Sequence, residues 1–415
     1  MRVRRVRRED TMNSIHRASI IKSDNEAIEI ARRLAREFAV EASHRDRERH
    51  LPVNEVEAFS ASGLWGISVP RAFGGADVSV RTIADVFELI SAADSSLGQI
   101  PQNHFATLER LRHDGTSSQQ DFFFSRALAG ERFGNATAEP GDRLPSEHET
   151  RVHRSASGFV LSGRKVYSTG ALFADWIPVA ARDDDGLTVT AFVARHARGV
   201  EVIDDWSGFG QRTTASGQVR LDHVELDALQ IVKRGRSGHI DAANAVSQLI
   251  HAAIDLGIGR AALDDTKRFL KALSHPARGS ATTRAVDDPY TLRDIGSLTV
   301  DYHAAQALTA RAAASIDAAR DAAGRADVAA AIVATAEAKI LTTQFALDAA
   351  SKLFELAGTQ STLDTHNLDR HWRNARTHTL HDSVRWKYHA VGQFALNELL
   401  CDPFTYAHPY TAIDE

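Results

Sequence analysis

One cysteine, Cys401, stands in 415 residues. A lone thiol forms no internal disulfide, so the fold is expected to need no covalent staple and to suit a reducing, cytoplasmic compartment. Only two methionines are present, Met1 and Met12, and a start at Met12 would omit the cluster Arg2, Arg4, Arg5, Arg7 and Arg8. No apolar h-region or small-residue cleavage site follows that cluster, which argues against a secretion signal. The expectation for 1–20 is a disordered basic extension, with a basic anchor or organelle-targeting arm as the alternative. No run approaches the roughly 18 consecutive apolar residues of a membrane span, so a soluble protein is expected. A net charge of −5 with no basic stripe argues against nucleic acid as a partner. There is no internal repeat.

Hydrophobic residues make up 43% and charged residues 25%, ordinary values for a globular chain, and the length exceeds what one core holds. From Ser23 to about Ala42, Ile28, Ala31, Leu34, Ala35 and Phe38 recur at helical spacing, and Ser23 with Glu26 forms a capping-box pattern. A second helix is expected from Asn54 to Gly63, a glycine-rich connector over 63–75, and further helix from Ser79 to Ala129. Near Gly134 the pattern becomes short alternating runs, at 158–167, 187–193 and 217–222, split by Gly and Asp; these read as a compact β domain, a small barrel. Beyond Asp241 alanine-rich helical periodicity returns, with helices expected at 241–274, 287–323, 326–357 and 382–400, an antiparallel bundle. The expected units are therefore an α-helical domain over 21–132, a β-barrel domain over 133–240 and a four-helix bundle over 241–415.

The run Arg373-Asn-Ala-Arg376-Thr-His378-Thr-Leu-His381-Asp382 places two imidazoles and a carboxylate within five residues. On a continuing helix His378 and His381 share a face, with Asp382 at its edge. From the residues alone this is either acid–base machinery or a polar helix end facing water.

Six stretches in order resemble the acyl-CoA dehydrogenase superfamily: GLWGISVPRAFGG (63–75), HDGTSSQQDFFFSRALAGERFGNATAEPG (113–141), GFVLSGRKVYSTG (158–170), GFGQRTTASGQVRLDHVEL (208–226), LGIGRAALDD (256–265) and DPYTLRDIGSL (288–298). The resemblance implies an α+β multidomain fold, with an N-terminal α domain, a middle β-barrel and a C-terminal four-helix bundle. It also implies a homotetramer with a flavin between the β domain and the bundle. RNARTHTLHD and Gly134-Asn-Ala136 resemble the flavin-dependent monooxygenase branch, which includes dibenzothiophene desulfurisation enzymes. Gln99-Ile-Pro-Gln-Asn-His104 is similar to SfnB-type sulfur-acquisition oxidoreductases.

Departures from the dehydrogenase pattern point to the same branch. The acyl-CoA-receiving Thr-Glu-Pro-Gly-x-Gly-Ser-Asp loop is here Ala138-Glu139-Pro140-Gly141-Asp142-Arg143. The Gly-Gly turn that meets the FAD diphosphate in the family is Gly358-Thr359, which makes reduced FMN the expected flavin, with FAD as the alternative. By spacing from Arg373, the catalytic glutamate column holds Asp382, one methylene shorter, preceded by His381.

In that branch a reduced flavin reacts with oxygen to give a C4a-hydroperoxide that oxygenates sulfur. The resemblance accordingly assigns His381 to peroxide stabilisation and proton relay, Asp382 to fixing its tautomer or pairing with an arginine, and Asn135 and Ser168 to the active site. Asn103 and His104 would wall the substrate end. Asn135, Thr137, Tyr167, Ser168, Thr169 and Trp206 would hold the ring, and Arg278 and Arg370 the phosphate. For each of these the plainer alternative stands: a turn asparagine, a strand-end serine, a core histidine or tryptophan, a surface arginine. The implied partners are a small organosulfur substrate, oxygen and a separate NAD(P)H flavin reductase.

Two other function classes are weighed. One is an FAD-dependent acyl-CoA dehydrogenase with Asp382 as base; the other is a non-catalytic helical assembly or metal-binding protein. His366, His371, His378 and His381 match no metal-ligand spacing, so no metal is expected. Gly257-x-Gly259 follows no strand and reads as helix packing, and the alanine stripe over 329–350 as bundle core.

Overall fold

The computed structural model describes residues 18–141, 147–156, 158–235, 243–273, 276, 279–322 and 324–401. Most of the arginine-rich extension, Asp142 and Arg143 of the 138–143 loop, and Arg278 lie outside the described residues.

The N-terminal part is helical: α1 (Asp24–Ala39), α2 (Ala42–Glu48), α3 (Val53–Ala61), α4 (Val80–Ala93), α5 (Ser95–Gln99), α6 (Gln102–Asp114) and α7 (Ser117–Leu128). Ser23 caps α1 by accepting the Glu26 N–H at 3.3 Å, while the Glu26 carboxylate turns back to the Lys22 N–H at 2.9 Å, one residue short of the expected reciprocal bond. Ala27, Ala31, Leu34 and Phe38 form the buried stripe. Helix α3 starts at Val53 after Pro52 rather than at Asn54, since proline needs no donor partner in a first turn. It stops as expected: Gly63 takes φ +85°, and a Cβ there would lie 1.9 Å from the Ser19 carbonyl oxygen.

The middle part is one mixed sheet: β1 (Arg151–Ser155), β2 (Gly158–Lys165), β3 (Trp176–Arg182), β4 (Thr188–Ala194), β5 (Val200–Ile203), β6 (Gln218–Leu226) and β7 (Ile231–Lys233), in the order β5-β6-β2-β1-β3-β4-β7. All pairings are antiparallel except β1 with β3. Among the described residues the ladder runs from β5 to β7 without closing. Strand β6 carries one extra residue opposite β2, where His223 adopts φ +50°; this bulge interrupts its alternation of buried Val219, Leu221, Val224 and Leu226.

The C-terminal part comprises α8 (Ala243–Ala272), α9 (Pro289–Ala322), α10 (Arg325–Ala357), α11 (Asp369–His378) and α12 (Val384–Asn397). Glycines in α8 permit close approach: a Cβ on Gly257 would sit 2.6 Å from the Glu88 carbonyl oxygen of α4, and one on Gly259 2.5 Å from the Phe345 ring of α10. Among the described helices, α10 is long and apolar enough to cross a membrane, yet 72% of its most apolar window is buried inside this fold.

The helix expected to run through His381 does not. Helix α11 ends at His378, and the His381 N–H bonds the His378 carbonyl at 3.0 Å in a tight turn before Val384 restarts the helix. That break puts His381 in a turn rather than on a helical face.

Candidate active site

Two walls meet at α11. On the sheet side, an extended segment bridges Phe133 to Trp176 and Ala136 to Val179, which fixes Asn135 and Thr137 beside β3. Thr137 Oγ1 donates to Asn135 Oδ1 at 2.8 Å, so the Asn135 amide nitrogen turns to the Tyr167 carbonyl at 3.3 Å. Tyr167 has φ +52°, and Ser168 donates its N–H to the Gly217 carbonyl at 2.9 Å. Thr169, Ser216 and Thr214 form a hydroxyl chain with 2.7 Å links. Trp206 donates its indole N–H to the Gln211 carbonyl at 2.8 Å and meets the Tyr167 ring edge-on at 6.4 Å.

The loop over 208–217 abuts α11 directly. The Gln211 N–H donates to Asn374 Oδ1 at 2.7 Å, and a Cβ on Gly210 would lie 2.0 Å from the Arg373 carbonyl oxygen. At this junction Ser168 Oγ, both amide atoms of Gln211 and Thr377 Oγ1 are buried without a hydrogen-bond partner among the described residues, as is Asp382 Oδ1 in the turn after α11. Buried polar groups are nearly always satisfied, so several orphans on facing elements mark where a polar ligand docks.

Behind His381 lies a buried network that sequence reasoning missed apart from His378. His251 and Asp255 are one turn apart on α8. His381 stacks on the His251 ring with centroids 3.8 Å apart, and His251 Nδ1 lies 3.2 Å from His378 Nε2. His378 Nδ1 donates to Asp255 at 2.5 Å, and its Nε2 is 3.0 Å from Gln99 Oε1. The second Asp255 oxygen accepts from Lys339 and, at 3.0 Å, from Thr343. Lys387 donates to Asp382 at 2.6 Å. Asp255, Lys339 and Lys387 are all at most 1% exposed.

Burial sets the electrostatics, and neighbours decide the outcome. It favours a neutral Asp255, but the Lys339 and His378 charges outweigh it and hold the carboxyl at about 2. Burial pulls His251 well below the ordinary imidazole range, and the positive charge that His381 or His378 gains on protonation opposes a second one on His251. His381 is also lowered, first by desolvation, with Asp382 opposing and His378, Lys339 and Lys387 reinforcing. The His381 residue nonetheless retains exposed surface. Asp382 stays low because Lys387 and Lys339 overcome its burial.

Other expected site residues lie elsewhere. His104 is a core histidine: it is 0% exposed, its Nε2–H donates to the Trp65 carbonyl at 2.8 Å, and Nδ1 accepts the Phe133 N–H at 3.1 Å. With both nitrogens engaged it has no free atom for substrate, and burial pushes its pKa down to about 3. Asn103 is half-buried beside it; the residue of that segment that reaches the histidine network is Gln99. Arg370 donates to Asp265 at 2.7 Å and to the Asn367 carbonyl at 2.9 Å, so its guanidinium is already held by protein acceptors. It lines a polar groove of about 590 Å³ that touches Thr213 and Asn374 but not Asn135, Ser168 or His381. Among the described residues no three His, Cys, Asp or Glu side chains are grouped to hold a metal ion.

Models of the acyl-CoA dehydrogenase N-terminal and C-terminal domains match residues 23–131 and 249–386. A dibenzothiophene monooxygenase of Mycolicibacterium goodii is 31% identical over 389 residues, 89% of this chain and 94% of that protein. A probable FMNH2-dependent monooxygenase SfnC of Pseudomonas putida is 31% identical, covering 92% and 97%. The crystal structure of FMN-bound TdsC from Paenibacillus sp. A11-2 superposes with a TM-score of 0.86 at 26% identity, over 92% of this chain and 100% of that one. The chain therefore belongs to the acyl-CoA dehydrogenase family, within the group that holds the dibenzothiophene monooxygenases.

Proposed function

We propose that this chain is a flavin-dependent monooxygenase that places one oxygen atom of O2 on a small organosulfur compound, using reduced FMN delivered by a separate NAD(P)H flavin reductase. The observation that carries the choice is the state of Asp382. A dehydrogenase of this fold needs a free carboxylate base, whereas Asp382 is ion-paired to buried Lys387 at 2.6 Å and carries one methylene fewer than glutamate. Its neighbour His381 supplies a different chemistry: an imidazole that offers a donor on one nitrogen and an acceptor on the other.

The residues present fit a flavin. Ser168 Oγ, the Gln211 amide and Thr377 Oγ1 are unsatisfied on the two walls a planar polar ring would join. Tyr167, Thr169 and Trp206 border the same walls from the sheet side, with Asn135 and Thr137 beside them. When bound in its reduced form, the flavin supplies two electrons and the means of activating O2. The protein's share is to hold the ring through Ser168, to keep water away, and to give and take protons at the His381 imidazole. Asp382, fixed by Lys387, sets the electrostatics beside it.

Oxygenation of sulfur consumes one O2, two electrons and two protons, and yields the S-oxide and water. An imidazole that is neutral at pH 7 can pass such protons without holding a buried charge. The single thiol, buried Cys401, suits a reducing cytoplasm, and we expect the chain to assemble as a homotetramer.

The test is a substrate panel. With reduced FMN and O2, a panel of sulfides, sulfoxides, sulfones and sulfinates should include at least one that is oxygenated. Anaerobic bleaching of bound FAD by an acyl-CoA, with no oxygenation in the panel, would instead establish the dehydrogenase.

A further inference from the structure

The histidines behind His381 are arranged as a chain with one protonatable atom following another. Asp255 is fully buried and takes donors on both oxygens, from Lys339 and Thr343 on one and from His378 Nδ1 on the other. That carboxylate requires a proton on His378 Nδ1. The opposite nitrogen, Nε2, faces Gln99 Oε1 at 3.0 Å and His251 Nδ1 at 3.2 Å. Both of those are acceptors when the Gln99 amide keeps this orientation and His251 carries its proton on Nε2, so Nε2 of His378 also calls for a proton. The His251 ring lies against His381 at 3.8 Å with a 31° tilt.

Facing the chain are Lys339 from α10, Lys387 from α12, Asp382 and His381 from the turn, and Asp255 from α8. The two lysines balance the two carboxylates, so a proton on His378 is the one uncompensated charge inside. Two stacked imidazoles 3.8 Å apart also resist sharing two positive charges in a medium of low dielectric.

We propose that His378 and His251 form a buried proton relay serving the site at His381, with Asp255 as its positioning residue. His378 holds a proton against Asp255 and passes it from Nε2 to Nδ1 of His251. His251 in turn gives the proton on its Nε2 to the oxygen atom that leaves the site as water. One N–H bond breaks as each new N–H or O–H bond forms, no electrons move, and the relay delivers one of the two protons that oxygenation consumes. Reloading takes a proton from solvent at the site between turnovers and returns it to His378 by the same steps in reverse. The relay's purpose rests on the monooxygenase reading, but its existence does not.

Two measurements on the full chain test it separately from that reading. In flavin-free protein with 15N-labelled histidine at pH 7, both nitrogens of His378 should give protonated-type shifts, and Asp255→Asn should return one of them to the unprotonated type. A neutral His378 in the native protein would overturn the relay. In the oxygenation assay, His251→Phe keeps an aromatic ring against His381 but carries no proton; kcat at pH 7 should fall about 100-fold, the low end for a positioned proton donor, with KM for the sulfur substrate little changed. An unchanged kcat and pH profile would also overturn it. A merely structural His251 would lower the urea midpoint while leaving the His378 shifts and the pH profile in place. If His251→Phe fails to fold, or no sulfur compound is oxygenated, the 15N measurement on the native chain still decides.

Discussion

His104 and His378 are both buried imidazoles deep in helical packing, yet they are wired differently. His104 bonds two backbone groups, the Trp65 carbonyl and the Phe133 N–H, and so ties two N-terminal segments to the extended segment beside β3. His378 bonds only side chains, Asp255, His251 and Gln99, each of which can change its protonation or orientation. A histidine wired to backbone is a structural clamp, because its partners cannot exchange protons at neutral pH. A histidine wired to side chains that end at a stacked, partly exposed His381 can serve chemistry. Burial does not separate the two; the identity of the partners does.

Substitutions can break that contrast. The largest effect is expected from His381→Ala, with coupled oxygenation falling by about 100- to 10,000-fold, the range a positioned proton donor contributes. Flavin affinity, followed by fluorescence titration, should stay near normal, while oxygen consumption is diverted to peroxide release. Normal coupling would return His381 to the structural class. Next comes Asp255→Asn, which leaves Lys339 buried without its carboxylate and should cost about 3–5 kcal/mol in urea unfolding. Adding Lys339→Met should recover much of that loss, since the orphaned charge is then gone.

On the clamp side, His104→Leu strands a carbonyl and an N–H in the core and should cost about 2–3 kcal/mol, while the folded fraction keeps its specific activity. Loss of activity without loss of stability would contradict the clamp. The smallest effect, taken per pH unit, is in pH dependence. His104 titrates at about 3 in the folded chain and near 6.5 when unfolded, so the unfolded state binds more protons between those values. Its contribution is intact above about pH 6.5 and is lost as pH falls, by up to about 1.4 kcal/mol per pH unit. His104→Leu should therefore show a shallower acid limb in an unfolding series from pH 7 to pH 4.

The sequence carried the helical stop at Gly63, the sheet between two helical parts and the packing role of Gly257 and Gly259, because turn chemistry and periodicity are local. It also carried His381 and Asp382 as a unit, through spacing. It did not carry the break after His378, since Thr379 and Leu380 suit a helix and only packing turns the chain there. The network behind the site was invisible for a related reason. His251 and His378 are 127 residues apart, and Asp255 and Lys339 are 84 apart, with His251, Asp255 and Lys339 set in long, alanine-rich helices. His104 shows the converse: a motif position that looked like pocket wall, until its two backbone partners were known.

The most direct test of the account is oxygen labelling. The chain, reduced FMN and an accepted organosulfur substrate under 18O2 should yield a product with one 18O atom per molecule. An unlabelled product, or flavin reduction by an acyl-CoA in the absence of oxygen, would contradict it.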